Sequence, residues 1–213
     1  MSTVKNQPAK KKAAPYKHVE RVEVYLWDQL MGAVALDPAY GYYVFAYAPE
    51  FVARGVEPSP LHMPLSLDPY LFADLPEATY KRLPSLLSDA LPDDFGNALI
   101  NRYMADHGIP ASGVTSIDRL AYMSNRAMGA LTFKPARGPA RHKPTAIQLS
   151  HLVSEARKAV TGTIEDDDHA SAALRSIIDV GTSAGGARAK AVIAWNPVTN
   201  EIRSGQLDQR LNP

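Results

Sequence analysis

A glycine-rich, cationic loop carries the residues whose types and spacing best suit chemistry. The stretch VGTSAGGARAKAVIAW, residues 180–195, places three glycines and two small hydroxyl residues ahead of a lysine and an apolar run. Backbone N–H groups in such a loop are unobstructed by side chains, and Arg188 and Lys190 supply positive charge. The pattern predicts a site that holds an anion, most often a phosphate.

Two better-known nucleotide-binding and kinase motifs have partial matches in the chain, but neither match is complete in its context. Gly181 and Gly186 have the spacing of a Walker loop, but Ala187 and Arg188 stand where that motif requires Lys and Ser or Thr. A Walker loop also joins a strand to a helix, whereas this loop precedes a predicted strand. The tripeptide Asp94-Phe95-Gly96 spells the metal-binding motif of protein kinases, but it precedes the loop and opens a predicted helix, so we interpret it as coincidence.

No metal site is expected in the chain. The acidic run at residues 165–168 lacks the alternate oxygen spacing and the glycine of a calcium loop. The six histidines are scattered without the spacing of metal ligands.

Composition and charge are those of an ordinary globular protein with a basic N-terminus. The 213 residues include no cysteine, which fits a reducing compartment. No apolar run approaches the roughly 20 residues of a membrane helix, so we expect a cytoplasmic protein without membrane contact. Five lysines and no acid fall in the first 17 residues, which leaves 18 basic against 22 acidic residues in the remainder. We expect a disordered basic tail over residues 1–17 and no direct DNA binding.

Apolar patterning predicts an α+β fold. Val22, Val24 and Leu26 alternate as on one face of a strand, and GYYVFAYAPEFV, residues 41–52, continues an antiparallel hairpin or meander. A helix is predicted where Phe95, Leu99, Ile100 and Tyr103 recur at helical spacing before Gly108. SIDRLAYMSNRA predicts a second helix, and GALTFKPA a returning strand.

A composition break then separates two predicted domains. The stretch KPARGPARHKP, residues 134–144, is rich in proline and basic residues and predicts a linker or surface loop. Residues 18–135 form the first predicted domain and residues 136–144 the linker. Residues 145–213 form the second domain, which begins with the predicted helix TAIQLSHLVSEARKAVTG.

Three blocks in this order resemble the N-terminal half of HipA-type toxin serine/threonine kinases of bacterial toxin–antitoxin systems. The blocks are LPSLLSDALPDDFGNALINRY, IDRLAYMSNRAMGALTFKPA and VGTSAGGARAKAVIAWNP, and the resemblance spans residues 19–206. It implies an N-terminal HipA-like subdomain of antiparallel strands plus helices over residues 18–135. The start of a protein-kinase-like ATP lobe would follow over residues 145–213.

The resemblance also implies roles for the loop, with ATP and Mg as cofactors. The family loop S-x-x-G-A-Q-x-K places Ser183 at an autophosphorylation site that switches the kinase off, and Arg188 replaces its glutamine. The residues expected to bind the ATP phosphates are Ser183, Ala184, Gly185, Gly186, Ala187, Arg188 and Lys190. No catalytic base or Mg ligand is expected before Pro213, so we expect the chain alone to be inactive.

Several functions stay open at this point. The chain is interpreted first as the N-terminal part of such a kinase, whether a truncated product, an engineered fragment or half of a split system. It would then need a kinase C-terminal lobe in cis or in trans. The alternative is a non-catalytic interaction module, resembling an antitoxin or a split-kinase subunit, that docks on a kinase core or a helix-turn-helix antitoxin. A third interpretation is an unrelated nucleotide-binding domain.

Overall fold

The computed structural model describes residues 14–127, 129–139, 193–199 and 201–204. This part of the chain is α+β, as the sequence predicts. The strands are β1 (Arg21–Leu26), β2 (Gln29–Leu36), β3 (Tyr43–Tyr47), β4 (Tyr70–Leu71), β5 (Leu131–Lys134), β6 (Ile193–Asn196) and β7 (Glu201–Ser204). The helices are α1 (Pro49–Val52), α2 (Glu77–Tyr80), α3 (Ser85–Ser88), α4 (Asp94–Asp106) and α5 (Ser116–Met123), with a 3₁₀ turn at Ala111–Gly113.

Five strands form an antiparallel sheet in the order β4-β3-β2-β1-β5. The predicted alternation is confirmed in β1, where Val22, Val24 and Leu26 are buried. The tight β1–β2 turn has positive φ at both Trp27 and Asp28, 48° and 63°. Such a turn matches the right-handed twist of the strands that it joins. The predicted meander is therefore confirmed, and the strand that returns after α5 pairs beside β1.

One part of the strand prediction is wrong. The apolar run at residues 41–52 is strand only over β3, and Pro49 opens the short helix α1. Proline is well tolerated at the first helical position because its N–H would lack an intrahelical partner there anyway. The ring of Phe51 in this helix lies parallel to that of Tyr47, with centroids 6.0 Å apart. Aromatic packing at the end of β3 thus continues into a helix rather than a strand.

Helices α4 and α5 line the core. Phe95, Leu99 and Ile100 of α4 are buried, as their spacing predicts, and α5 packs against β1, β2 and β5. Gly108 follows the end of α4 with φ +86°, a left-handed conformation that glycine adopts without strain. The second predicted helix is shorter than expected, because it ends at Met123 and Ser124 has φ 48°.

The sheet surface opposite the core has two unlike halves. On β1 and β5, Lys134 Nζ lies 4.2 Å from the centroid of the Tyr25 ring, and the Tyr25 hydroxyl donates to Glu23 Oε2 at 2.9 Å. On β2, β3 and β4, five apolar side chains form what we call the apolar sheet face. They occupy neighbouring positions by strand register and are Ala33, Ala35, Val44, Ala46 and Leu71.

Strands β6 and β7 form a separate antiparallel hairpin. The side chain of Asn196 shapes its turn, since Oδ1 accepts hydrogen bonds from the N–H groups of Val198 at 2.9 Å and Thr199 at 3.2 Å. The hairpin predicted to follow the glycine-rich loop is therefore confirmed. Among the described residues, no helix is long and apolar enough to cross a membrane.

Candidate functional site

The predicted phosphate-binding residues lie outside the described residues. These are Ser183, Ala184, Gly185, Gly186, Ala187, Arg188 and Lys190, whose assignment stays a prediction. The next described residue is Ile193, three residues after Lys190, where β6 begins.

The Asp94-Phe95-Gly96 tripeptide has a structural explanation. Phe95 is 3% exposed within the core, and the Gly96 N–H donates to Asp93 Oδ1 at 2.9 Å. Asp93 thereby caps α4. Asp94 begins the first turn, where its negative charge interacts favourably with the helix dipole. These contacts give the tripeptide a structural role at the start of α4. Over the described residues, no group of three or more His, Asp or Glu side chains could hold a metal ion.

A buried carboxylate joins the N-terminal segment to α5. Asp118 is fully buried, and its Oδ1 accepts the Val19 N–H at 3.0 Å. Its Oδ2 lies 2.7 Å from His18 Nδ1 and accepts from the N–H and hydroxyl of Thr115 at 3.1 and 2.8 Å. Thr115 Oγ1 in return accepts the Asp118 N–H, which completes a capping box. One carboxylate therefore starts α5 and anchors the chain that leads into β1.

Aromatic groups surround this anchor on the α4 side. The Tyr16 N–H donates to the carbonyl of His107 at 3.2 Å. Tyr16 lies one residue before the predicted end of the basic tail. Burial, and secondarily the Asp118 carboxylate, raise the pKa of Tyr16 well above its usual range. The Tyr103 ring lies 4.2 Å from His107 and 5.1 Å from Tyr122, measured between centroids. The N-terminal segment is thus packed on α4 from Tyr16 onward.

Arg126 holds the segment that leaves the domain. Its guanidinium is buried, donates to the carbonyl of Tyr122 at 3.3 Å and also donates to the carbonyl of Pro139. The Arg137 N–H donates to the Ala121 carbonyl at 2.9 Å. The described start of the predicted linker is therefore bound to α5. Lys134, which the composition break included, belongs to β5.

A second polar group joins α4 to α5, and no sequence pattern predicts it. Arg119 Nη1 donates to Asn97 Oδ1 and Nη2 to Asn101 Oδ1, both at 2.9 Å. Asn97 and Asn101 are four residues apart on α4, so both amides face the same side of that helix. The Thr-x-x-Asp spacing at 115–118 is a local pattern that predicts the capping box. No local pattern indicates that Asp118 contacts His18 or that Arg119 contacts α4.

The antiparallel sheet with its core helices on one face defines an α+β domain. The Asp118 contacts hold the chain where it enters this domain, and the Arg126 contacts hold it where it leaves. Comparison of the sequence with family models identifies this domain, since the HipA N-terminal domain model matches residues 22–134. The chain therefore belongs to the HipA N-terminal domain family. This membership makes it a HipA-like protein associated with toxin–antitoxin systems. No curated protein matches the chain significantly.

Proposed function

We propose that the chain is the N-terminal part of a HipA-like toxin serine/threonine kinase. In this proposal residues 22–134 form a subdomain that covers an ATP-binding lobe, and residues 145–213 begin that lobe. The family match over residues 22–134 is the observation that carries the proposal. The sequence order supports it further, because the glycine-rich loop and the β6–β7 hairpin follow the matched domain as they would in such a kinase.

The glycine-rich loop would supply the phosphate contacts of this lobe. Its backbone N–H groups and Lys190 would bind the phosphates of ATP, and Ser183 would be the autophosphorylation site. A phosphate on Ser183 would compete for the same N–H groups and for Arg188, and so disfavour the ATP-binding shape of the loop. A catalytic base and Mg ligands would have to come from a C-terminal lobe, in cis or in trans.

The Arg126 contacts suggest how the two parts are joined. Because Arg126 donates to the carbonyls of Tyr122 and Pro139, the chain is held beside α5 as far as Pro139. Any lobe that follows would therefore start from a fixed point beside α5.

The test is phosphoryl transfer from radiolabelled ATP, with the full chain alone and mixed with a HipA-type kinase core. For the chain alone, we expect a dissociation constant for ATP above about 1 mM and no transfer. The few contacts of the loop with ATP do little more than offset the entropy lost when the loop is ordered. With the core, we expect transfer that Lys190→Ala abolishes and Lys17→Ala leaves unchanged. Turnover by the chain alone that disappears in Lys190→Ala would contradict the proposal. Phosphate mapped at Ser171, Ser176 or Thr182 but never at Ser183 would remove the switch assignment.

A second candidate function is a non-catalytic module that docks on a separate kinase core. The surface of the sheet favours it, since Leu71 is 54% exposed at the edge of the apolar sheet face and Trp27 is 72% exposed at the β1–β2 turn. Tryptophan is enriched among residues that dominate binding energy at interfaces. Binding to a kinase core without any gain in transfer, weakened by Trp27→Ala, would favour this function over the first.

A further inference from the structure

Arg119 is a half-buried cation whose described partners are neutral. Its two hydrogen bonds to Asn97 and Asn101 go to amide oxygens, and no carboxylate in the described part of the chain lies within ion-pair distance of its guanidinium. Burial lowers the pKa of Arg119 from its ordinary value. Buried charges in proteins are ordinarily paired with an opposite charge. Among the described residues, Arg119 has no such ion-pair partner.

Asp118, the adjacent residue, does not fill that role. Its two oxygens already accept hydrogen bonds from Val19 and Thr115 and contact His18. A carboxylate has about four lone-pair positions, so these four contacts occupy all the acceptor positions of Asp118. Its charge acts on Arg119 through space, but no hydrogen bond joins the two side chains.

Some donors of this group have no acceptor among the described residues. A guanidinium has five N–H donors, and Arg119 uses two of them toward the asparagines. Asn97 uses its own amide to donate to the Pro92 carbonyl at 2.9 Å. The Asn101 amide nitrogen has no hydrogen-bond acceptor among the described residues. Because Asn101 Oδ1 accepts from Arg119 Nη2, the amide nitrogen of the same side chain lies beside the guanidinium.

We propose that Arg119 and Asn101 bind a single carboxylate from a protein that docks on α4 and α5. A guanidinium accepts a carboxylate through two parallel N–H···O bonds, and the Asn101 amide can donate a third. The charge favours a monoanion, because one cation stands beside the negative charge of Asp118, which repels a phosphate dianion. The site does not depend on the kinase proposal, since any acidic partner of this domain could supply the carboxylate.

The test uses the full chain and acetate as the probe, followed by NMR of the side-chain resonances of Arg119 and Asn101. Titrations with inorganic phosphate and with chloride at matched ionic strength run in parallel. We expect saturable shifts at both side chains with acetate, weaker shifts with phosphate and none with chloride. Asn101→Ala should weaken acetate binding at least about fivefold, because acetate loses one donor and Arg119 loses one of the two contacts that orient its guanidinium. Arg102→Lys, a neighbouring exposed arginine on α4, should leave binding unchanged.

The outcomes separate the proposal from its competitors. Stronger binding of phosphate than of acetate would overturn the choice of a carboxylate. Equal, non-saturating shifts at Arg119 and Arg102 would reveal only general ionic attraction and would overturn the site. Arg119→Lys keeps the charge but removes the planar fork, so unchanged acetate affinity in that variant would also contradict the proposal. The backbone spectrum of each variant shows directly whether it is folded.

Discussion

Nδ1 of His18 lies 2.7 Å from Oδ2 of Asp118, although 100 residues separate the two in sequence. His18 is about half exposed at its side chain, whereas the Asp118 side chain is fully buried. The contact therefore joins an exposed residue of the N-terminal segment to a buried residue in the first turn of α5. A carboxylate in such a position is stable only while its hydrogen bonds are made, because water does not solvate it.

Replacing this carboxylate should destabilise the domain and release its N-terminal segment. In Asp118→Asn the amide nitrogen cannot accept a hydrogen bond, so the contacts to Val19, Thr115 and His18 cannot all be kept. We expect a loss of about 2–4 kcal/mol in the free energy of unfolding, measured by urea denaturation. Hydrogen exchange at Val19 should accelerate in parallel.

An exposed aspartate provides the matched control. Asp106 pairs with Arg102 at 3.2 Å, one helical turn away and with both side chains nearly half exposed. Asp106→Asn should cost no more than about 0.5 kcal/mol. Equal effects of the two substitutions would mean that Asp118 does not anchor the N-terminal segment.

Local patterns predicted the elements of this domain, but not its long-range contacts. The alternation of β1 and the helical spacing of Phe95, Leu99 and Ile100 were sufficient, because burial on one face imposes a period on the sequence. The short helix that begins at Pro49 was not predicted, because a single turn of helix after a strand leaves no periodicity of its own. The pairing of Asp118 with His18 is set by tertiary packing, which local sequence does not encode. The predicted phosphate loop falls outside the described residues, so its assignment rests on sequence alone.

Gly32 is required by close packing between β2 and β3. A Cβ built at this position would lie 2.2 Å from the carbonyl oxygen of Ala46 and 2.9 Å from Cζ of Phe45. Because the first of these atoms belongs to the backbone of a paired strand, Gly32→Ala should lower the free energy of unfolding by about 3 kcal/mol. Thermal and urea denaturation measure the change. Gly113→Ala, whose new Cβ would come no closer than 3.4 Å to Ile109, should be nearly neutral, and similar losses in both variants would refute the packing argument.

Trp27 holds a backbone conformation that its side chain disfavours. Its φ of 48° is left-handed, and its side chain is 72% exposed. Asparagine tolerates this conformation at the first position of such a hairpin turn, so Trp27→Asn should raise the free energy of unfolding by about 0.5–1 kcal/mol. Trp27→Ala removes the same apolar surface but keeps the strain, and it should bring no gain. A gain of the same size in both variants would show that exposed surface, rather than backbone strain, is responsible.

Tyr47 should make the domain sensitive to alkali. Its hydroxyl donates to the Met63 carbonyl at 2.8 Å, and burial raises the pKa of Tyr47 to about 12. The unfolded chain releases this proton at about pH 10, so the contribution of neutral Tyr47 to stability is fully present below that pH. It is lost as pH rises from about 10 through about 12, and wild type should lose about 1–2 kcal/mol more than Tyr47→Phe over this interval. Urea denaturation at a series of pH values measures the difference, with Tyr40→Phe, an exposed tyrosine, expected to follow wild type. Parallel pH profiles for wild type and Tyr47→Phe would show that the buried hydroxyl does not control alkaline stability.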